Sequence, residues 1–224
     1  MLIAEDLLLL LTDDQTGKLL APSAQVDIAL GGALLIELAL MERVEVAQRG
    51  ARAREGRLLV GDRSPTLDEL LDEALTLLAA SEGKNPKDVV RKLGKGVRGR
   101  LYARLAGQGI LREERGKILG VLPVHHWPTT DAKHEREIRE FLAHAVRNGT
   151  VDDAHTGALV ALLYALKAAP KVIDPASAGV SKKELNANAK RIADGNWGAQ
   201  AVRHAIDALN AAAASGAIIA SSGD

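Results

Sequence analysis

The residues best suited to chemistry lie in a basic segment, residues 84–104, within a chain of zero formal net charge. This segment carries eight positive residues and a single acid, Asp88. At 100° per residue along a helix, Arg91, Lys95 and Arg98 fall on one stripe. Such a stripe attracts phosphates or anionic lipid headgroups, and each cation near an anionic membrane contributes about 1 kcal/mol. A solvated helix face would show the same pattern, so charge alone leaves both interpretations open.

The same segment contains the pattern GxGxxG at residues 94–99. A dinucleotide site needs a strand directly before this motif and a helix that opens at it. The residues before Gly94 have instead the basic and apolar spacing of a helix. We therefore expect no nucleotide site here but a kink in the helix, because glycine weakens helical structure.

Reactive side chains elsewhere form no recognisable catalytic or metal-binding motif. The chain has no cysteine, which excludes disulfides and thiolate chemistry. His125, His126 and His134 suggest a metal site, but no acid lies at helical ligand spacing from the His125–His126 pair, and adjacent histidines point apart in a strand. There is also no nucleophile elbow, phosphate-binding P-loop or HExxH motif. We predict no enzyme activity, no metal and no cofactor, and interpret Glu37 within its apolar helix as a buried structural acid.

A second feature is an apolar hairpin, with strands predicted at residues 110–112 and 118–122 and a connection at residues 113–117. Tryptophan at the edge of a loop is typical of a membrane interface. An ordinary hairpin packed on the core is the alternative. The residues predicted to contact a membrane are Leu119, Val121, Leu122, Val124 and Trp127.

Helices must position these residues. Aromatic residues make up only 2% of the chain, so aliphatic side chains must form the core, which favours helices over an all-β fold. We predict a mainly α fold: a single globular helical domain over residues 1–224 with a protruding β-hairpin and a loose tail at about 216–224. Helix-start signals occur at Ser64 and Asn85. Predicted helices span residues 4–11, 25–42, 64–80, 85–105, 133–148, 152–169, 181–194 and 196–214, and a first hairpin pairs residues 44–46 with 58–60.

The sequence predicts peripheral membrane contact at most. Glu5 and Asp6 stand where a signal peptide has Lys or Arg. The longest apolar run, residues 28–41, is interrupted by Glu37 and is shorter than the roughly 20 residues that span a bilayer. We expect a cytoplasmic protein that associates peripherally with the inner face of a membrane.

Three stretches occur in a characteristic order along the chain. They are residues 5–11 (EDLLLLL) followed by Gly17, residues 30–39 (LGGALLIELA), and residues 97–101 (VRGRL) leading to residues 107–111 (GQGIL). Together they resemble the Golgi phosphoprotein 3-like (GPP34) family, in the form of a bacterial-type, single-domain member. The resemblance implies a mainly α domain with a protruding hairpin and no catalytic centre. It also implies recognition of phosphatidylinositol 4-phosphate in a basic pocket beside that hairpin.

Carried over residue by residue, the resemblance assigns the two basic headgroup residues to Lys95 and Arg98, and Arg91 would add to their field. Pro22 and Gly31 stand where the family has a pocket tryptophan and a pocket arginine. Half of the specific pocket is therefore missing. What the resemblance then implies is binding of anionic phospholipid in general, with phosphatidylinositol 4-phosphate or a related phosphoinositide as the family's ligand.

The resemblance also implies protein partners. The family's hairpin falls on about residues 117–129, and an oligomer would form through it. Eukaryotic members bind the cytoplasmic tails of Golgi glycosyltransferases, so cytoplasmic tails of membrane proteins are expected partners. The resemblance thus describes an adaptor between a membrane surface and its cargo.

Two other functions stay open at this point. A basic helix, a turn at residues 107–111 and a hairpin also describe a winged helix that binds nucleic acid. The zero net charge and the apolar hairpin argue against that alternative. The third hypothesis is a role in protein sorting or assembly without lipid, through the alanine-rich helices.

Overall fold

The computed structural model describes residues 1–50, 54–118, 122–130 and 132–196, and only the backbone of residues 115–118 and 122–126. The described part is mainly helical with two short antiparallel hairpins, which confirms the predicted fold class. The predicted helix over residues 196–214 and the tail lie outside the described residues, apart from Asn196. The elements are α1 (Ile3–Leu10), α2 (Ser23–Leu40), β1 (Val44–Val46), β2 (Leu58–Val60), α3 (Glu69–Ala79), α4 (Pro86–Leu93), α5 (Val97–Gly107), β3 (Glu114–Ile118), β4 (Leu122–His126), α6 (Lys133–Asn148), α7 (Ala154–Ala165), α8 (Ala169–Val172), α9 (Pro175–Ala178) and α10 (Lys182–Asp194).

Two apolar helices form the centre of the core. Every residue of α1 is buried, including the acids Glu5 and Asp6. Helix α2 packs against α1, α4 and α7. It has the length and apolar composition of a membrane span, but most of it is buried inside the fold. An apolar core helix that is surrounded by other helices passes the same test of composition.

Helix α3 begins later than its sequence signal indicates. The predicted cap, Ser64, instead bonds to Asp62 and accepts a hydrogen bond from Arg43 Nη1 at 2.8 Å. Asp68 caps the helix because its Oδ1 atom accepts from the backbone N–H groups of Leu70 at 2.9 Å and Leu71 at 3.3 Å. The start predicted at Ser64 is therefore wrong by one helical turn.

The predicted kink in the basic segment is a full break between α4 and α5. Asn85 caps α4 as predicted, and the helix ends at Gly94. Gly96 has a φ of 78°, a left-handed conformation that glycine adopts without strain. The basic residues thus lie on two helices and the turn between them, and the single continuous stripe predicted from the sequence is wrong.

The second hairpin lies further along the chain than predicted. Strands β3 and β4 pair with Glu114 opposite His126 and Ile118 opposite Leu122, and residues 119–121 connect them. Pro123 lies within β4, opposite Lys117, and proline is tolerated there because each strand of a two-stranded hairpin has an open edge. The connection is therefore the apolar stretch of the sequence rather than the charged residues 113–117. The first hairpin pairs as predicted.

The end of α7 differs from the prediction for a local reason. The helix stops at Ala165, and Lys167 has a φ of 55°, which reverses the chain. Pro170 and Pro175 then lie in the first turns of two one-turn helices, α8 and α9, because proline suits the start of a helix. The helix predicted over residues 152–169 is therefore confirmed over Ala154–Ala165, and its predicted end at residue 169 is wrong.

Candidate functional site

Two of the three predicted headgroup residues are exposed and have no partner in the part of the chain that the structure describes. Arg91 lies in the last turn of α4, and Lys95 lies in the break after it. Neither side chain has an ion pair or a hydrogen bond with any residue that the structure describes. Their positive charges are therefore available to a phosphate in solution or at a surface.

The third residue, Arg98, is already paired. It lies on the first turn of α5, and its Nε atom is 3.2 Å from Oδ1 of Asp27 on α2. Burial raises the pKa of the Asp27 carboxyl, and the Arg98 guanidinium opposes that rise. Sequence reasoning missed Asp27 because the two residues are distant in the chain and meet only when α2 packs beside α5.

The other arginines of α5 hold the fold together. Arg100 binds Glu73 through two guanidinium nitrogens and lies 3.4 Å from Glu69. Arg104 Nη1 lies 2.7 Å from Asp68, the cap of α3, and 3.7 Å from the buried Glu5. These ion pairs join α5 to α3 and α1. The basic segment therefore offers fewer free charges than its composition indicates.

The hairpin is anchored beside Arg98. Trp127 follows β4 and stacks on Tyr102, with ring centroids 4.8 Å apart and planes 1° apart. Tyr102 lies one turn after Arg98 on α5. Its hydroxyl is 2.9 Å from Oγ1 of Thr12, which donates to the Leu8 carbonyl at 2.7 Å. Burial raises the pKa of Tyr102, so this hydroxyl stays neutral.

The structure places the predicted membrane-contacting residues in different parts of the hairpin. Trp127 is half-buried at the base of the hairpin, where it packs against the core. Leu122 and Val124 lie on β4. Leu119 and Val121 belong to the connection and lie outside the described residues. The structure thus places Trp127 in the anchor of the hairpin, and membrane contact by Leu119, Val121, Leu122 and Val124 stays a prediction.

The substitution Tyr102→Phe should separate the contribution of the Tyr102–Thr12 hydrogen bond to stability from that of the stacking on Trp127. The variant keeps the aromatic pair but removes the bond to Thr12, whose hydroxyl still donates to Leu8. We expect a loss of about 1 kcal/mol in the free energy of unfolding, the usual net value of a single hydrogen bond. Urea unfolding monitored by tryptophan fluorescence measures the loss. An unchanged midpoint would show that the Tyr102–Thr12 bond contributes nothing to the anchor.

Of the two positions expected to depart from the family pattern, Gly31 has a physical explanation. A Cβ on Gly31 would overlap the Val90 carbonyl oxygen and lie 2.5 Å from the backbone nitrogen of Gly94. Helices α2 and α4 therefore touch through their backbones, and no side chain fits at position 31. Pro22 is an exposed residue that directly precedes α2. The missing arginine cannot be supplied at its own position in this packing.

A second polar cluster lies away from the basic residues. The carboxylate of Asp6, which is only 3% exposed, lies 2.8 Å from Nε2 of His134 and 2.7 Å from Nε2 of His155. The hydrogen bond with Asp6 raises the pKa of His155, and burial opposes that rise. Glu37 accepts from the Ile3 N–H at 2.6 Å, which agrees with its predicted structural role, although it is half-buried rather than buried. Across the described ranges, no group of three His, Cys, Asp or Glu residues has metal-binding geometry.

A groove of about 570 Å³ lies between α6 and the α8–α9 segment. Arg139 donates to the Val172 carbonyl, and Arg147 Nε donates to the Ala178 carbonyl at 2.8 Å. Both bonds satisfy carbonyls at the ends of short helices, which otherwise have no partner within the helix. These arginines therefore fasten α8 and α9 to α6 and are not free to bind a ligand.

Comparison with known proteins shows the family of the chain. The family profile of Golgi phosphoprotein 3 (GPP34) matches residues 3–209. Vacuolar protein sorting-associated protein 74 of Eremothecium gossypii is 32% identical over 158 residues, which cover 61% of this chain and 46% of that protein. The chain thus spans about half the length of this curated relative. Because the family match extends over almost all of the described fold, the chain belongs to the Golgi phosphoprotein 3 (GPP34) family.

Proposed function

We propose that the protein is a non-catalytic adaptor that docks reversibly on anionic membrane surfaces from the cytoplasmic side. The observation that supports this proposal best is the position of the hairpin. Trp127 at its base stacks on Tyr102, one turn from Arg98, so the apolar hairpin leaves the fold beside the basic residues. A surface that combines cations with an apolar projection suits the boundary between lipid headgroups and acyl chains.

The expected binding energy is modest. Arg91 and Lys95 contribute about 1 kcal/mol each near an anionic membrane. Insertion of apolar residues at the hairpin tip adds roughly 25 cal/mol for each Å² removed from water. The sum corresponds to reversible binding. It also requires that added salt weakens the interaction, because the charged contacts are screened.

The lipid is proposed to be any anionic phospholipid, with phosphatidylinositol 4-phosphate or a related phosphoinositide as the family's ligand. Glycine at position 31 supports the broader class, because α4 fills the space that a second arginine would need. The name of the fungal relative supports a role in protein sorting. We therefore propose cytoplasmic tails of membrane proteins as partners, and the hairpin as the contact in any oligomer.

Vesicle co-sedimentation tests the proposal. Vesicles of phosphatidylcholine are compared with vesicles that also contain phosphatidylglycerol or phosphatidylinositol 4-phosphate at matched charge. We expect binding to both anionic compositions and a loss of about 30-fold in affinity when Arg91 and Lys95 both become Gln, since two contributions of about 1 kcal/mol are removed. The same assay at high salt should show weakened binding by the native chain.

The matched control is the double variant Lys182→Gln and Lys183→Gln. These two exposed lysines on α10 have no ion pair with a described residue, and their loss changes the net charge equally. Its affinity should stay within about threefold of the native value. Absence of native binding to every anionic vesicle would contradict the proposal, and so would an equal loss in the control.

A gel-shift measurement with duplex DNA tests the winged-helix alternative. A recognition helix needs free cations, but Arg100 and Arg104 are bound to acids of α3. We therefore expect no gel shift with random duplex at low salt. A shift in the absence of vesicle binding would favour nucleic acid over lipid.

A further inference from the structure

Two carboxyl groups meet close to the hairpin base, which residues 110–112 and 127–130 form. Glu135 lies in the first turn of α6 and is 3% exposed, whereas Asp14 lies in the exposed turn after α1. Burial raises the pKa of Glu135, and Asp14 adds to the rise through its charge and through a hydrogen bond with the Glu135 carboxyl. Since a carboxylate only accepts hydrogen bonds, that bond exists only while one of the two groups holds a proton.

Arg139 leaves half of the Glu135 carboxylate without a donor. Its Nε atom donates to Oε1 at 2.9 Å, and its Nη2 atom donates to the same oxygen at 2.5 Å. The remaining nitrogen, Nη1, donates to the Val172 carbonyl. Oε2 of Glu135 is buried and accepts no hydrogen bond from any residue that the structure describes. The charged form is thus stabilised at one oxygen and desolvated at the other, which favours a bound proton.

Asp14 also holds the hairpin base. Its Oδ1 atom accepts a hydrogen bond from Oγ1 of Thr129 at 2.6 Å. Thr129 in turn forms a β-bridge with Leu111 on the other side of the base. The hydrogen bonds of this bridge are donated by the N–H groups of Arg112 at 3.1 Å and Thr130 at 2.8 Å. The carboxyl pair is therefore connected to the bridge through one side chain, that of Thr129.

The charged groups around the pair leave Glu135 dependent on Asp14. Arg139, one turn further along α6, and Asp14 act directly on the Glu135 carboxyl. Charged groups that neighbouring elements contribute to this region have partners of their own: Asp6 pairs with His134 and His155, and Lys171 donates to the Leu20 carbonyl. Among the described residues, none of these four is placed to donate to Oε2 in place of the shared proton.

We propose that the proton shared by Asp14 and Glu135 is a latch on the hairpin, which keeps the base closed while it is bound and loosens the base when it is lost. Without the proton, two carboxylates face each other, and the exposed Asp14 moves to water and releases Thr129. Burial raises the pKa of Glu135 to about 7, so the latch operates near neutral pH.

The direction of the change follows from which state binds the proton more tightly. Asp14 faces Glu135 only while the base is closed, so the closed state holds the proton more tightly and a rise in pH opens the base. Trp127 keeps the hairpin attached in both states, because it stacks on Tyr102, whose hydroxyl is neutral. The latch goes beyond the proposed docking and does not depend on it.

Hydrogen exchange of backbone amides tests the latch in the full chain without vesicles. Protection factors, which correct for the intrinsic effect of pH on exchange, are measured at about pH 6 and about pH 8. Those of the Arg112 and Thr130 amides should fall about fivefold at the higher pH, the equilibrium factor for the net value of one hydrogen bond. The reference is the Ala47 amide, which donates to the Arg57 carbonyl in the first hairpin and should change by less than about twofold. An equal fall at Ala47 would overturn the latch.

Two variants fix the latch in opposite states. Glu135→Gln offers Asp14 an amide donor at every pH and keeps an acceptor for Arg139, so the base should stay protected at about pH 8. Thr129→Val removes the hydroxyl that Asp14 binds, so protection should be about fivefold lower at both pH values. The control Glu137→Gln, an exposed acid on α6, should retain the native response. A native-sized fall in either Glu135→Gln or Thr129→Val would show that the shared proton does not control the base.

Discussion

Gly94→Ala is expected to destabilise the fold by about 3 kcal/mol, because the new Cβ would be forced into backbone. It would overlap the Asp27 carbonyl oxygen and lie 2.7 Å from the carbonyl carbon. A flexible side chain could move aside, but the obstacle is the main chain of α2, which is buried on most sides. The helices must separate, and the apolar contacts between them are lost. Urea unfolding measures the change in the free energy of unfolding.

Gly31→Ala tests the same contact from the other side and should cost a similar amount. The two losses should not add, because either substitution already separates α2 from α4. The control is Gly99→Ala in α5, where a Cβ meets no atom within 4 Å. Alanine there should stabilise the helix by roughly 0.5–1 kcal/mol. Native stability of Gly94→Ala would show that α2 and α4 do not touch through their backbones.

The second large effect is a fall in stability as the pH rises from about 5 to 8. Burial raises the pKa of Glu135 to about 7, although Arg139 opposes the rise. The carboxyl is 3% exposed, and Arg139 Nε donates to its Oε1 atom at 2.9 Å. Its Oε2 atom has no hydrogen-bond partner within the described chain. The charged form is therefore poorly accommodated in the folded state.

The direction in which stability changes with pH follows from the linkage between proton binding and folding. Because the folded pKa of Glu135 lies above the value of 4.5 for the unfolded chain, the folded state holds its proton more tightly. The stabilisation is complete below about pH 4.5 and is lost as the pH rises to about 7. A difference of that size corresponds to about 3 kcal/mol. His155, whose pKa is raised by Asp6, and Glu37, whose pKa is raised by burial, act in the same direction.

Carboxylates with lowered pKa values act at lower pH. Burial raises the pKa of Asp68, but Arg104 and the backbone N–H groups of α3 together outweigh it and lower the pKa, so the contribution of Asp68 to stability is lost as the pH falls through the folded pKa. The pKa of Asp153, which caps α7 through the Thr156 N–H, is also lowered, so its contribution to stability is likewise lost at low pH. Stability should therefore be greatest at mildly acidic pH.

Urea unfolding at several pH values between 5 and 8 measures the slope. Glu135→Gln keeps an acceptor for Arg139 and should remove most of the loss between pH 5 and 8. The control is Glu137→Gln, an exposed acid on the same helix, which should retain the native slope. A flat native profile, or an equal change in the control, would rule out Glu135 as the source.

Local signals in the sequence predicted much of the secondary structure. Asn85 followed by proline marked the start of α4, since both act within one turn. The glycines at residues 94–99 marked the break before α5. The start of α3 was misplaced because Ser64 bonds to Asp62 and Arg43 instead of the helix. That competition depends on residues outside the local window.

The apolar pattern of the sequence predicted the second hairpin but not the positions of its strands. The composition indicated two strands and an apolar stretch between residues 118 and 124, but the strands were placed too early. The stacking of Trp127 on Tyr102 and the bridge between Leu111 and Thr129 hold the base of the hairpin. Both contacts join distant parts of the chain, so no local pattern could place the connection.

By itself, the sequence determined a mainly helical chain with an aliphatic core, a basic segment and an apolar hairpin, because composition and periodicity act locally. Only the tertiary structure decided which cations are free. Arg100 binds Glu73 of α3, Arg104 binds Asp68 at the cap of α3, and Arg98 binds Asp27. Arg91 and Lys95 have no partner among the described residues. Ion pairing depends on distances of a few ångströms between helices that are far apart in the chain. Those distances are set by packing, here by glycines that let α2 and α4 meet at their backbones.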